Sequence, residues 1–146
     1  ARCPHGFPTV VEMLPLDERG RPFPTLYYLT CPTALAAIGA LENAGGVRRF
    51  ERAVDADENL RTSLAAAVRV VVDGGAHSGP SGPALAAVLS TGVGGVADPS
   101  RLKCLHAHAA HALARPGYTL GETILGEAGT LWCEDRRCAA FAGETA

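Results

Sequence analysis

Proline and glycine divide this chain into short stretches, and that division limits what it can fold into more than any other feature. Proline removes a backbone donor and fixes φ, and paired glycines end helices, so each marks a boundary. Thr9 to Leu14 and Thr25 to Thr30 are β-prone runs fenced by Pro8, Pro15, Pro22 and Pro24, with Asp17 to Gly20 between them as turn chemistry. The spacing predicts a β-hairpin over 9–30 with a ten-residue loop. If Leu14 pairs near Thr25, Cys31 leaves the second strand opposite Pro8, and His5 lies on the order of 10 Å from Cys31 at the rise of an extended chain.

Helical signals follow the hairpin. Pro32 suits a first helical position, with Cys31 as the cap, Leu35, Ile38 and Leu41 on one side and Gly45-Gly46 as the stop, predicting a helix over 32–44. Asp55 or Asp57 caps a second helix over 57–73, in which Leu60, Leu64, Val68 and Val71 repeat at helical spacing before Gly74-Gly75. The stretch from His77 to Val96 is rich in Gly, Ser and Pro, with a short apolar helix over 83–90. Asp98-Pro99 opens a helix over 99–114 that stops at Pro116-Gly117; Gly121 to Gly126 adds a helical turn, and Thr130 to Cys133 a late strand over 130–133. The expectation is a single α+β domain over 1–146, mostly helical, whose small antiparallel sheet combines the hairpin with that late strand.

At 146 residues, with 47% hydrophobic and 19% charged, the chain can bury a core without a metal or disulfide to hold it. A net charge of -2 argues against a nucleic-acid partner, which would call for excess Lys and Arg. No apolar run is long enough for a membrane helix, and the opening residues Arg2 to Gly6 lack the apolar region of a signal peptide. The expectation is therefore a soluble cytoplasmic protein without membrane or nucleic-acid partners. In that compartment the five Cys read as thiols or metal ligands, although Cys133 and Cys138, five positions apart, could form a disulfide.

The chemistry concentrates in the predicted helix over 99–114. At 100° per residue Arg101, Cys104, His108, His111 and Arg115 fall within about 80° of one another, opposite Leu102, Leu105, Ala109 and Leu113. This predicts a polar stripe, with His106 on the apolar side as a satisfied core histidine. Cys104 and His108, at i and i+4, have the spacing by which two helical residues share a metal. Cys31, at a helix N-terminus, is either a reactive thiolate or a buried small hydrophobe closing a corner. The Gly-rich stretches around His77-Ser78 and Gly92 to Gly95 lead into helix N-termini that can hold an anion. Neither carries a nucleotide-binding fingerprint. Arg101, Lys103, His111 and Arg115 complete the candidate anion-binding set, and Lys103 is the one Lys among 13 basic residues.

Three stretches, Cys3-Pro4-His5-Gly6-Phe7-Pro8-Thr9-Val10, Phe23 to Pro32, and Lys103-Cys104-Leu105-His106-Ala107-His108, resemble domain of unknown function family 501, a bacterial family. The resemblance runs from Cys3 to about Gly121. It singles out Cys3, His5, Cys31, Lys103, Cys104, His106 and His108. Through the family's gene neighbours (enolase, a septum-formation initiator, an exopolyphosphatase) it implies a protein partner in cell-division or polyphosphate physiology.

Three function classes follow. In the first, Cys3, His5, Cys31, Cys104, His106 and His108 form a metal or thiol cluster between the hairpin end and the helix over 99–114, with zinc as the metal. In the second, Cys31 is the nucleophile of an enzyme with His108 or His111 as its base. In the third, the cationic residues bind a small anion such as phosphate. The favoured reading is a non-catalytic accessory or binding protein with a polar Cys/His pocket, because no complete catalytic constellation can be assembled from the chain.

Overall fold

A computed structural model describes residues 1–19, 21, 23, 25–76 and 90–141. Among these the chain is mostly helical with one two-stranded antiparallel sheet, an α+β arrangement. Strands β1 (Val10–Glu12) and β2 (Tyr27–Leu29) pair Val10 with Leu29 and Glu12 with Tyr27, the register in which Leu14 would stand opposite Thr25. Alternation sends Tyr27 and Leu29 into the core and Tyr28 outward, where it stacks on Phe23 at 5.6 Å. Asp17 turns the connecting loop by accepting hydrogen bonds from the backbone N–H groups of Arg19 and Arg21.

Helix α1 (Pro32–Asn43) starts at its proline with Cys31 as cap. Gly45, at φ +82°, turns the chain into α2 (Gly46–Ala56), a helix the sequence reading did not anticipate. Its apolar residues are few, Val47, Phe50 and Val54, set among charged neighbours, but Phe50 and Val54 are buried one turn apart. Asp57 then caps α3 (Glu58–Ala76) by accepting from the N–H groups of Asn59 and Leu60. Arg61 closes the α2–α3 corner, donating to the carbonyls of Val54 and Asp55. The short helix expected over 83–90 lies outside the described residues.

Two expectations are corrected downstream. The helix expected from 99 begins only at Leu105: α4 spans Leu105–Ala114. Asp98 spends its carboxylate on the N–H and hydroxyl of Ser100, forming a local turn, and Leu102 anchors the following stretch in the core. Helix α5 (Thr119–Glu127) follows, longer than the single turn expected. No late strand forms at 130–133, and both described strands lie near the N-terminus. Gly129 takes φ +76°, Leu131 and Trp132 pack partly buried on the core, and the segment ends in a 3-10 helix over Arg137–Phe141.

Helix α4 occupies the centre, packed against α5, β2, α1 and β1. Seven of its ten residues are buried. Its crossing with α5 is close because Gly121 has no side chain: a Cβ there would stand 2.6 Å from the His108 carbonyl oxygen.

Candidate functional site

Because α4 is enclosed on several sides, the polar stripe read from its sequence is inverted. His108 and His111 lie in the core at 0% and 2% exposure, while His106 sits on the partly solvated side. His106 Nδ1 is 3.1 Å from the Glu42 carboxylate and its Nε2 is 3.2 Å from the Leu35 carbonyl oxygen. Glu42 also accepts from the Leu105 N–H, so α1 supplies the anionic cap that the first turn of α4 lacks.

The buried histidines belong to a network of rings. His108 Nδ1 pairs with the Tyr118 hydroxyl at 2.7 Å, and His111 packs against Tyr118 and edge-on to Tyr27, with centroids 5.0 and 5.2 Å away. Arg115 donates from Nε to the Tyr27 hydroxyl at 2.9 Å, which ties the end of α4 to β2. His108 Nε2 and His111 Nδ1 are buried without a hydrogen-bond partner. Burial, and secondarily the neighbouring His111, pushes the pKa of His108 down to about 3. Burial and the Arg115 charge push His111 down to about 4. Burial moves the Tyr118 phenol well above its ordinary range. All three rings are therefore neutral near pH 7.

His111, Arg115 and Tyr118 line one side of a cleft of about 550 Å³, with Asn59, Thr62 and Ser63 of α3 opposite. The corner between α4 and α5 forms its rim. Gly117, at φ +95°, makes the reversal, its N–H donating to Glu122. The first turn of α5 borders the cleft, and its Leu120 N–H donates to Ser63 Oγ at 3.2 Å. Among the described residues that line it, Arg115 is the one that carries a charge.

The structure divides the residues singled out by sequence. Of the anion set, His111 and Arg115 share the cleft; Arg101 pairs with Asp55 at 3.4 Å; Lys103 is exposed elsewhere; His77 and Ser78 lie outside the described residues. Of the Cys/His set, Cys104 caps α4 and His106 and His108 point to separate surroundings, so they do not join Cys3, His5 and Cys31 in one cluster. Cys3 lies in an N-terminal turn, His5 Nε2 is 2.7 Å from the Cys133 carbonyl oxygen, and the buried Cys31 donates to the Leu131 carbonyl at 3.9 Å. All five thiols, including Cys133 and Cys138, are free. Among the described residues no group of three or more His, Cys, Asp or Glu is arranged to hold a metal ion. No described helix is long and apolar enough to cross a membrane.

Sequence reasoning missed Tyr118, Tyr27 and Glu42. Tyr118 stands past the Pro116-Gly117 break, outside the periodicity of α4, and Tyr27 and Glu42 reach the site only through long-range packing.

Comparison with curated proteins and with solved structures finds no match. Residues 1–126 match the family described as protein of unknown function (DUF501), and the chain belongs to that family.

Proposed function

We propose that this protein is a non-catalytic binding protein for a small oxyanion of the phosphate class, received in the cleft between α3 and the α4–α5 corner. The site differs from the pocket expected between the hairpin end and the late helix. The observation that carries the reading is Arg115. Among the described residues that line the cleft it is the one charged group, and its Nε is tethered to Tyr27, so the guanidinium is placed before any ligand arrives. The Ser63 hydroxyl, the Asn59 amide and the positive end of α5 add uncharged donors around it. His111, held neutral, contributes shape and hydrogen-bonding capacity but no charge.

Thermal unfolding with phosphate, pyrophosphate or polyphosphate tests the reading. A ligand that binds the folded state alone raises the melting temperature with concentration, by about 2.7 kcal/mol of stability at a hundredfold excess over Kd. The rise is expected for at least one of the three and is lost in Arg115→Gln, each variant being compared with its own unliganded baseline. No rise with any of them, or an equal rise in Arg115→Gln, overturns the proposal.

A further inference from the structure

The cleft that holds Arg115 is larger than an inorganic phosphate can fill. Its volume of about 550 Å³ lies in the range that houses whole organic ligands, whereas a phosphate ion occupies only a few water volumes. Its α3 wall also changes character along the helix axis. Asn59, Thr62 and Ser63 are polar, and Ala66, Ala67 and Val70, on the same helical face, are apolar, over about 16 Å at the helical rise. Ser63 Oγ accepts from the Leu120 N–H at 3.2 Å, which fixes the polar half of this wall against the start of α5. Ala66 and Val70 are half-buried and Ala67 is buried, so the apolar half is a small-residue surface that leaves room for a guest. The rings of Pro116, Tyr118 and His111 complete the lining, and His111, at 2% exposure, keeps an Nδ1 with no hydrogen-bond partner among the described residues.

We propose that the occupant is a phosphate ester with an apolar organic body, its phosphate on Arg115 and its body against Ala66, Ala67 and Val70; this rests on the oxyanion reading of the cleft and narrows it. Charge favours an ester over a phosphate chain. One guanidinium, already held by the Tyr27 hydroxyl at 2.9 Å, offers a single positive charge, and a phosphate monoester carries about 1.5 to 2 negative charges near pH 7. Pyrophosphate and longer chains bring more, and the excess would lie without a counter-charge between walls of alanine, valine and tyrosine. Shape favours an ester over the bare ion. An inorganic phosphate on Arg115 leaves the apolar wall in water, whereas an aryl or short alkyl body covers it and adds burial to the charge-assisted hydrogen bonds.

The test is calorimetric titration of the full chain with phenyl phosphate, inorganic phosphate, pyrophosphate and phenol. Phenyl phosphate is expected to bind at least tenfold more tightly than each of the other three, with a more negative heat-capacity change than phosphate. Ala66→Leu fills the apolar half of the cleft, so it should weaken phenyl phosphate several-fold and leave phosphate unchanged. If that variant melts well below the parent, Val70→Phe, at another half-buried position of the same wall, makes the same comparison. Arg115→Gln should weaken both phosphates. Phosphate or pyrophosphate bound as tightly as phenyl phosphate, phenol bound as tightly, or phenyl phosphate unaffected by the cleft-filling variant would each overturn this inference while phosphate binding upholds the oxyanion reading. Binding of neither phosphate nor phenyl phosphate would remove that reading and the inference with it.

Discussion

The Tyr118 hydroxyl meets His108 Nδ1 at 2.7 Å inside the core, joining α4 to the residue just before α5. Because burial holds both groups neutral, this is a bond between uncharged partners, and it satisfies only one of the two ring nitrogens. The core therefore keeps two imidazoles at a cost in stability, directly behind the cleft that His111 and Tyr118 help to line.

Tyr118→Phe leaves His108 with neither ring nitrogen paired, so it should destabilise the protein by about 1–3 kcal/mol in urea unfolding. In a His108→Leu background the same change should cost much less. Equal costs in the two backgrounds would show that the hydroxyl acts through something other than His108.

The pH dependence has a definite sign. His108 and His111 have folded-state pKa values lowered to about 3 and about 4, whereas in the unfolded chain they return toward 6.5. Between pH 6.5 and about 4 the unfolded state binds more protons, so stability falls as pH drops, by about 1.4 kcal/mol per pH unit for each ring that titrates only on unfolding. Above pH 6.5 these rings add no slope. Urea midpoints at pH 7.5, 6 and 5 should decline in that order. A His108→Leu/His111→Leu double variant should flatten the decline. The depressed carboxyls of Asp17, Asp98 and Asp135 enter mainly below this window.

Two glycines of α5 should respond oppositely to alanine. At Gly121 the added Cβ would meet the His108 carbonyl oxygen and Tyr118 Cδ1, each at 2.6 Å, forcing α4 and α5 apart at a cost of about 1–3 kcal/mol. At Gly126 the Cβ would have open space, and alanine should stabilise the helix by about 0.5–1 kcal/mol. Melting temperatures that moved the same way in both variants would contradict the packing described for Gly121.

Glu42→Ala removes the acceptor at the start of α4 and the carboxylate beside His106 together. A loss of about 1–2 kcal/mol is expected, in line with losing a helix cap. His106→Gln, which removes the imidazole beside the carboxylate but leaves the cap, should cost less. Chemical unfolding of both variants at pH 7 makes the comparison.

Several elements were readable from local chemistry. The proline fences and the period of two placed the hairpin in its observed register, Val10 against Leu29, because a one-residue slip would have turned Tyr27 and Leu29 away from the core. Pro32 and Asp57 marked helix starts for the same local reason. Helix α2 was hidden because its buried residues are sparse among Arg and Glu, and the start of α4 was misplaced because Asp98 makes a turn with the same residues that could have capped a helix. In the candidate site, His111 and Arg115 were foreseen, one turn apart on one helix. Tyr118 was not, since it enters through the chain reversal at Gly117.

The amino-acid order determined which residues of α4 share a face; only the tertiary structure decided what each face meets. A helical repeat fixes angles between side chains, and those angles put His108 and His111 together whatever surrounds them. Burial depends on neighbours brought from elsewhere in the chain. With α1, α5 and both strands packed around it, α4 has no broad solvent face, so the histidines that looked solvated are enclosed and His106 is left at the edge. The cysteines follow the same physics. Their spacing allowed several groupings, and only long-range packing brought His5 and Cys31 to the main-chain carbonyls of Cys133 and Leu131 in the final segment.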